Sequence, residues 1–403
     1  MIEPAPRPWL VFADDWGRHP SSCQHLIRTL LPGQSVTWVN TIGTRPPRLD
    51  WGTAKRAAGK LTGWFIPSRT RERRIPLGIV AHASGSVERD APAIIAPKMW
   101  PSFRSRFGRS LNRKLLLRAL RPIVEAMPAP PVIITTLPLV ADLVGELPAA
   151  KWVYYCVDDF SIWPGYDGAT MAAMERDLLP KIDLAIAVSE TLVAKLASMG
   201  KPAYLLTHGV DLPFWQVPKE EPPEFARIER PIVLFWGVID RRMDTAFVEH
   251  LGRSMRAGTI VLVGPLEAPD PALLKLPRVV VRPPVKFERL PALAAAASVL
   301  VMPYIDAPVT QAMQPLKLKE YLATGRPCVV RDLGTTRAWA DALDVAATPE
   351  QFTAAVLDRL SGDTPLSQLE ARKRLASESW AAKAEQFRAW IDAGSLAVPA
   401  HAP

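Results

Sequence analysis

One proline-crowded stretch, PFWQVPKEEPPEFARIERP (Pro213–Pro231), separates two halves of this chain that repeat the same pattern. Such proline density opposes regular structure, so 213–230 reads as an interdomain linker. On either side, short runs of apolar, β-branched and aromatic residues alternate with segments of helical length. Before the linker the strands are Pro8–Ala13, Ser35–Asn40, Pro131–Thr136, Trp152–Val157 and Leu184–Val188. Helices fall at about Ser21–Leu31, Leu139–Gly145, across MAAMERDLLPK, and from an N-cap at Ser189 to a stop at Gly200. After the linker the strands are Ile232–Trp236, Thr259–Val263, Val279–Val281, Ser298–Met302 and Cys328–Arg331. Strands that alternate with helices become parallel sheets joined by right-handed crossovers. At 403 residues the chain exceeds one compact core. The expected fold is α/β, with two doubly wound, Rossmann-like domains (1–212 and 231–365) facing a central cleft. A last helix, Leu366–Ile391 within 366–403, carries Trp380, Phe387 and Trp390 and is expected to cross back onto the first domain.

The most informative motif is PLKLKEYLATGRPCVV (Pro315–Val330): a helix, a stop at Gly325, a proline and a buried strand. Lys317 and Glu320 stand three apart and project from one side of the helix. A cation in the first helical turn, aided by the helix dipole, can neutralise a diphosphate. A carboxylate one turn on can accept two hydrogen bonds from a ribose diol. A solvated Lys/Glu face would show the same spacing.

Other segments surround this motif with the same chemistry. VLVMPYID (Val299–Asp306) is a strand ending in proline, THGVDLPFW (Thr207–Trp215) closes the first half, and FWGVIDRR (Phe235–Arg242) and VLVGP (Val261–Pro265) are strands that end in glycine. With ATGRPCVV, these segments resemble the GT-B glycosyltransferases of group 1 (family 4-like), over most of residues 130–392. The resemblance implies a nucleotide-sugar pocket formed by Gly237, Arg241 or Arg242, Gly264, Tyr304, Gln314, Lys317 and Glu320. It also implies a uridine diphosphate-sugar, the commonest donor of the class, as co-substrate. Retaining members carry a second Glu eight residues before the ribose-binding one, where this chain has Ala312. The region is also similar to glucuronosyltransferases of xanthan-type exopolysaccharide assembly, which invert and present a basic face to the membrane. That second resemblance implies transfer to a lipid-linked saccharide or polysaccharide acceptor. A nucleotide-sugar 2-epimerase and a non-catalytic binding subunit share the fold and stay open as alternatives.

An inverting transferase needs a base for the acceptor hydroxyl. Two aspartate pairs end first-half strands, Asp14/Asp15 and Asp158/Asp159. Ligands of open α/β sheets bind beyond the carboxyl ends of strands, and neighbouring carboxylates raise one pKa. Asp158 leads, followed by Asp159 and then Asp15, although aspartates also cap turns. The loop DDWGRHPSS offers Trp16, Gly17, Arg18 and His19 to an acceptor sugar. No metal is expected: the paired aspartates lack the separated spacing of metal-dependent enzymes, and His19, Cys23 and His25 have no fourth ligand beside them.

Charge is uneven. Between Arg45 and Arg121 there are 18 Lys or Arg against 4 Asp or Glu, while the rest of the chain has 31 against 36. Trp51, Trp64, Phe65, Ile66, Trp100, Phe103 and Phe107 lie among those cations. Basic residues mixed with aromatics fit an anionic lipid surface. They would also fit nucleic acid or a purely solubilising face, but no helix-turn-helix, zinc or RNA-recognition signature accompanies them. No apolar run approaches the roughly 20 residues of a membrane span. The N-terminus lacks a signal peptide's basic start and long apolar region. Three cysteines make no disulfide framework. The expected location is the cytoplasm, peripherally on the inner face of the cell membrane.

Overall fold

The computed structural model describes residues 6–18, 20–40, 91–216, 220, 222–360 and 363–393. His19 and residues 41–90, the larger part of the basic aromatic span, lie outside the described residues.

The first sheet is assembled from β1 (Trp9–Ala13), β2 (Val36–Asn40), β3 (Ala93–Ile95), β4 (Val132–Thr135), β5 (Lys151–Cys156), β6 (Leu184–Ala187) and β7 (Tyr204–Leu205). All pairings are parallel, in the order β3-β2-β1-β4-β5-β6-β7. Every residue of β1, β4 and β6 is buried, as expected of strands covered on both faces. Covering helices are α1 (Ser22–Leu30), α2 (Arg106–Glu125), α3 (Gly168–Leu178) and α4 (Glu190–Ser198). The Oγ atoms of Ser21 and Ser189 accept the amides of Gln24 and Leu192, capping α1 and α4. The segment expected as a helix over 139–145 is one 3-10 turn, Pro138–Val140, followed by further turns.

A short helix, α5 (Leu212–Gln216), then leads through a 3-10 turn at Pro223–Phe225 into the second sheet. The proline-rich stretch is therefore less irregular than its composition suggests. Pro213 falls in the first turn of α5, where a missing N–H costs nothing. Trp215 and Phe225 anchor the stretch by burial in the second core.

The second domain contains β8 (Ile232–Trp236), β9 (Ile239–Asp240), α6 (Thr245–Ser254), β10 (Thr259–Val263), β11 (Leu266–Glu267), β12 (Val279–Arg282), α7 (Leu290–Ala296), β13 (Val299–Met302), α8 (Pro308–Ala312), α9 (Leu316–Ala323), β14 (Cys328–Arg331), α10 (Gly334–Arg337), β15 (Asp344–Ala346) and α11 (Pro349–Leu360). Its main sheet is parallel, ordered β12-β10-β8-β13-β14-β15, with β9 and β11 pairing separately. The strand order reverses between β1 and β4 in one sheet and between β8 and β13 in the other. Those switch points open crevices at the carboxyl ends of the strands.

The C-terminal segment is broken where a continuous helix was expected. It runs as α12 (Leu366–Arg372), a 3-10 stretch over Lys373–Glu378, and α13 (Trp380–Ala393). The break falls where the chain crosses between domains, with Val210 bridging Ser379. α13 then packs on the first domain. Phe387, 1% exposed, meets Trp9 and Tyr155 at 6.0 and 5.3 Å, and Trp390 stacks on Tyr204 at 4.6 Å. Truncating a buried phenylalanine of this kind costs about 3–5 kcal/mol.

Candidate functional site

Two glycines shape the floor of the second crevice. Gly237 follows β8 with φ +133°, and Gly264 follows β10 with φ +153°. A Cβ on Gly264 would stand 1.9 Å from the Gly237 carbonyl oxygen. A Cβ on Gly237 would stand 2.2 Å from Lys317 Nζ. Only glycine leaves room for that ammonium against the strand end. Lys317, in the first turn of α9, donates to the Tyr304 hydroxyl at 2.6 Å and lies 4.3 Å from the Phe235 ring centroid.

Glu320 lies one turn further along α9, beside the end of β8. Its Oε2 accepts the Trp236 indole N–H at 3.3 Å. Burial pushes its carboxyl up to about 7, with the Trp236 hydrogen bond and the Lys317 charge opposing. Trp215 from α5 stacks on Trp236 at 5.5 Å, walling this side of the pocket. A cation and a carboxylate on one helix face, beside a glycine turn, can hold a diphosphate and a diol together.

The two arginines of FWGVIDRR behave differently from a free diphosphate clamp. Arg242 is 9% exposed and turned inward. Its Nε lies 3.0 Å from both carboxylate oxygens of Asp240, and its guanidinium lies 4.8 Å from the Trp163 ring centroid. Arg241 is exposed and makes no hydrogen bond or ion pair among the described residues. Lys317 is therefore the cation found against Gly237. Gln314 lines a cavity of about 320 Å³ with Ser189, Thr207, Lys319 and Glu378; neither Lys317 nor Glu320 lines it.

Across the cleft, β5 delivers the Asp158/Asp159 pair, whose members differ sharply. Asp159 accepts Lys195 Nζ at 2.8 Å and both the hydroxyl and amide of Ser161. Although burial opposes it, these donors hold the Asp159 carboxyl below the usual range. A carboxylate stabilised in this way is a poor proton acceptor, so the geometry disfavours Asp159 as a base. Among the described residues the Asp158 carboxylate accepts no hydrogen bond; the Cys156 thiol donates to its backbone carbonyl instead. Burial pushes its carboxyl up to about 7, the Arg242 charge lowers it, and Asp159 raises it further. A base with that pKa is half ionised near neutrality.

At the end of β1, Asp14 is the covered member of its pair. It accepts from Ser21 Oγ at 3.0 Å and Gln24 Nε2 at 2.6 Å, and burial raises its pKa. Asp15 faces outward and pairs with exposed Arg18 at 3.3 Å. The Trp16 and Gly17 amides are tied to Asn40 Oδ1 and Gln24 Oε1, and the Trp16 ring meets Trp38 edge-on at 4.7 Å. These bonds make residues 14–18 a braced turn at the strand end. The His25 ring stacks on Trp380 at 4.7 Å, and Cys23 is buried in the first core. Among the described residues no three His, Cys, Asp or Glu side chains converge as a metal site.

Two features escape sequence reasoning. Trp163 reaches from the first domain to Arg242 of the second. Lys319, 2% exposed, pairs with Glu378 and donates to Thr207 Oγ1 at 3.1 Å and to the His208 carbonyl, at the point where the chain crosses between domains. Lys383 approaches the same Glu378 at 2.8 Å. A lysine between Leu318 and Leu322 on the packed side of α9 is the one signal that could have drawn attention to the cluster.

Residues 230–361 match the model of the glycosyl transferases group 1 family. TuaH of Bacillus subtilis (strain 168), named for a glycosyltransferase role in teichuronic acid biosynthesis, is 29% identical over 148 residues. That match covers 35% of this chain and 37% of TuaH. Among solved structures, sucrose-phosphate synthase from Thermosynechococcus elongatus aligns with TM-score 0.66 and 15% identity, over 96% of this chain and 99% of that one. Anabaena HepE, in complex with UDP and glucose, aligns with TM-score 0.64 and 12% identity, over 96% of this chain and 100% of that one. The chain has the GT-B fold, and its second half carries a group 1 glycosyl transferase domain.

Proposed function

We propose that this protein transfers a sugar, hexosyl or glucuronosyl, from a uridine diphosphate-sugar to a lipid-linked or polysaccharide acceptor in cell-surface polysaccharide assembly. The observation that carries the reading is Lys317 set against Gly237, with Glu320 one turn away and Asp158 across the cleft. TuaH and HepE in its UDP-glucose complex support the donor class and the cell-surface setting.

In the proposed reaction Asp158 takes the proton of the acceptor hydroxyl as its oxygen bonds to the sugar's anomeric carbon. The bond from that carbon to the diphosphate breaks, and the departing charge is met by Lys317 and the first turn of α9. One displacement inverts the anomeric centre. The place of a second Glu supports this, because Ala312 is buried there and its carbonyl accepts Ser189 Oγ from the other domain at 2.6 Å. Substrate and protein charges suffice for this scheme, so no metal is assigned to it.

We assign the acceptor's membrane surface to the region of α2. Phe107 there is 71% exposed, Arg106, Arg118 and Arg121 of the same helix are exposed too, and so are Ile94 of β3 and Trp100 before the helix. Arg104, Arg109 and Arg113 are partly neutralised by Asp167, by Asp142 with Asp177, and by Glu146, so the apolar residues carry much of the expected contact. No helix among the described residues is long and apolar enough to cross a membrane. The test is incubation with radiolabelled UDP-glucose or UDP-glucuronate and a bacterial lipid extract. Label should enter the lipid fraction with the wild type and not with Asp158→Asn. Equal labelling by the variant would remove Asp158 from the mechanism.

A further inference from the structure

Arg242 belongs to the second domain, yet its guanidinium rests on an aromatic ring of the first. Trp163 lies five residues beyond Asp158, on the loop that leaves β5. On its own side Arg242 is held in a fixed orientation. Its backbone N–H and Nε bond Asp240 Oδ1 at 2.9 and 3.0 Å, and Nη2 lies 2.8 Å from Asp240 Oδ2. The Tyr304 ring lies 5.9 Å from the guanidinium, and the Tyr304 hydroxyl accepts from Lys317. A continuous set of contacts thus runs from the Asp158 loop through Trp163, Arg242 and Tyr304 to the cation of the nucleotide pocket. Arginine suits this place because a planar, always charged group can stack and pair at once.

We propose that Arg242 is a positioning residue for Asp158, bringing positive charge to the base only when the two domains are together and so coupling closure of the cleft to readiness of the base. This rests on the reading of Asp158 as the base. With the cleft open, Trp163 and Asp158 move away from Arg242, and the half-buried carboxyl loses the neighbouring cation that favours its ionised form. An acceptor hydroxyl arriving before closure then meets a carboxyl without its neighbouring cation.

The groups that face Asp158 are few. Asp159, its neighbour, shares its charge with Lys195 of α4, which also pairs with Glu175 of α3 at 2.6 Å. Tyr155 and Cys156 of β5 are held protonated by burial. Arg242 is the cation whose charge lowers the Asp158 carboxyl, and it brings Asp240 with it. Its removal therefore leaves Asp158 with a like-charged neighbour and low solvation, both of which raise a carboxyl pKa.

The test is a carbon-13 NMR titration of protein labelled at the aspartate side-chain carboxyls, with saturating UDP. The Asp158 resonance is identified by its loss in Asp158→Asn. The wild-type midpoint is expected near pH 7, that of Arg242→Met about one unit higher, and that of Arg242→Lys close to wild type. The shift lowers the ionised fraction at pH 7 about fivefold, and initial transfer rates at pH 7 should fall by the same factor and recover at pH 9. Trp163→Leu, which keeps the charge but removes its seat, should move the midpoint in the same direction and serves if Arg242→Met does not fold. An unchanged midpoint in a folded Arg242→Met or Trp163→Leu protein overturns the proposal. Because the titration needs no turnover, that result is distinct from active Asp158→Asn, which would instead remove Asp158 as the base.

Discussion

Gly237→Ala isolates the close approach on which the proposed nucleotide pocket depends. Two costs follow from the geometry. At φ +133° an alanine is strained, which carries roughly 1–3 kcal/mol and a fall in melting temperature of roughly 3–10 °C. Its Cβ would also lie 2.2 Å from Lys317 Nζ, where ordinary contact begins near 3.4 Å. The ammonium ends a flexible side chain, so it can retreat by more than 1 Å at little further cost to stability. In retreating it gives up the 2.6 Å bond to Tyr304 and the position proposed for it over the diphosphate. A charge-assisted hydrogen bond is worth about 1.5–3 kcal/mol, so UDP affinity should drop about ten- to a hundredfold. Titration calorimetry with UDP reads the second cost, and thermal unfolding reads the first. Gly145→Ala is the control: its φ is +85° with nothing within 4 Å of the added Cβ, so it should lose stability and keep UDP affinity. A folded Gly237→Ala protein that binds UDP within twofold of wild type would refute the placement of Lys317.

Glu320→Gln should trade binding for stability. The folded pKa of Glu320, about 7, lies above its ordinary 4.5, so ionisation opposes folding as pH rises from 4.5 through 7. The variant should be more stable than wild type at pH 8, by up to about 3 kcal/mol in denaturant titrations, with the difference vanishing near pH 4. UDP affinity at pH 8 should fall more than tenfold. Lys319→Met removes the cation buried at the domain crossing and should cost about 3 kcal/mol, the low end for a broken buried pair, because Lys383 remains on Glu378. Equal thermal unfolding of this variant and wild type would show that the cluster does not hold the crossing. Phe107→Asp should weaken sedimentation with phosphatidylglycerol vesicles about tenfold and leave UDP affinity unchanged. Vesicle binding equal to wild type would remove that face from the proposed membrane contact.

Much of the architecture is legible in the sequence because parallel strands buried on both faces must be near-continuous apolar runs. PVIITT, WVYYCV and IVLFW have almost no other use in a water-soluble domain. The two glycine-ended strands and the spacing of Lys317 and Glu320 are local features, so they too can be read from one segment. What escapes depends on partners distant in the chain. The sequence puts Asp158 before Asp159 but gives no sign that Lys195, 36 residues from Asp159, pairs with Asp159 and so sets the two apart. The inward turn of Arg242 depends on the backbone of the β9 loop, which lets Asp240 reach it two residues away. The role of Lys319 depends on Glu378, 59 residues on. The break before α13 follows from the path of the chain back to the first domain, which no helical periodicity records.

The central claim is that α9 and the glycine turn after β8 form a pocket for a nucleoside diphosphate. Titration calorimetry with UDP, GDP and ADP, on the wild type and on Glu320→Ala, tests it most directly. UDP should bind more tightly than GDP and ADP, and Glu320→Ala should lose that binding while remaining folded. Failure of the wild type to bind any of the three nucleotides would contradict it.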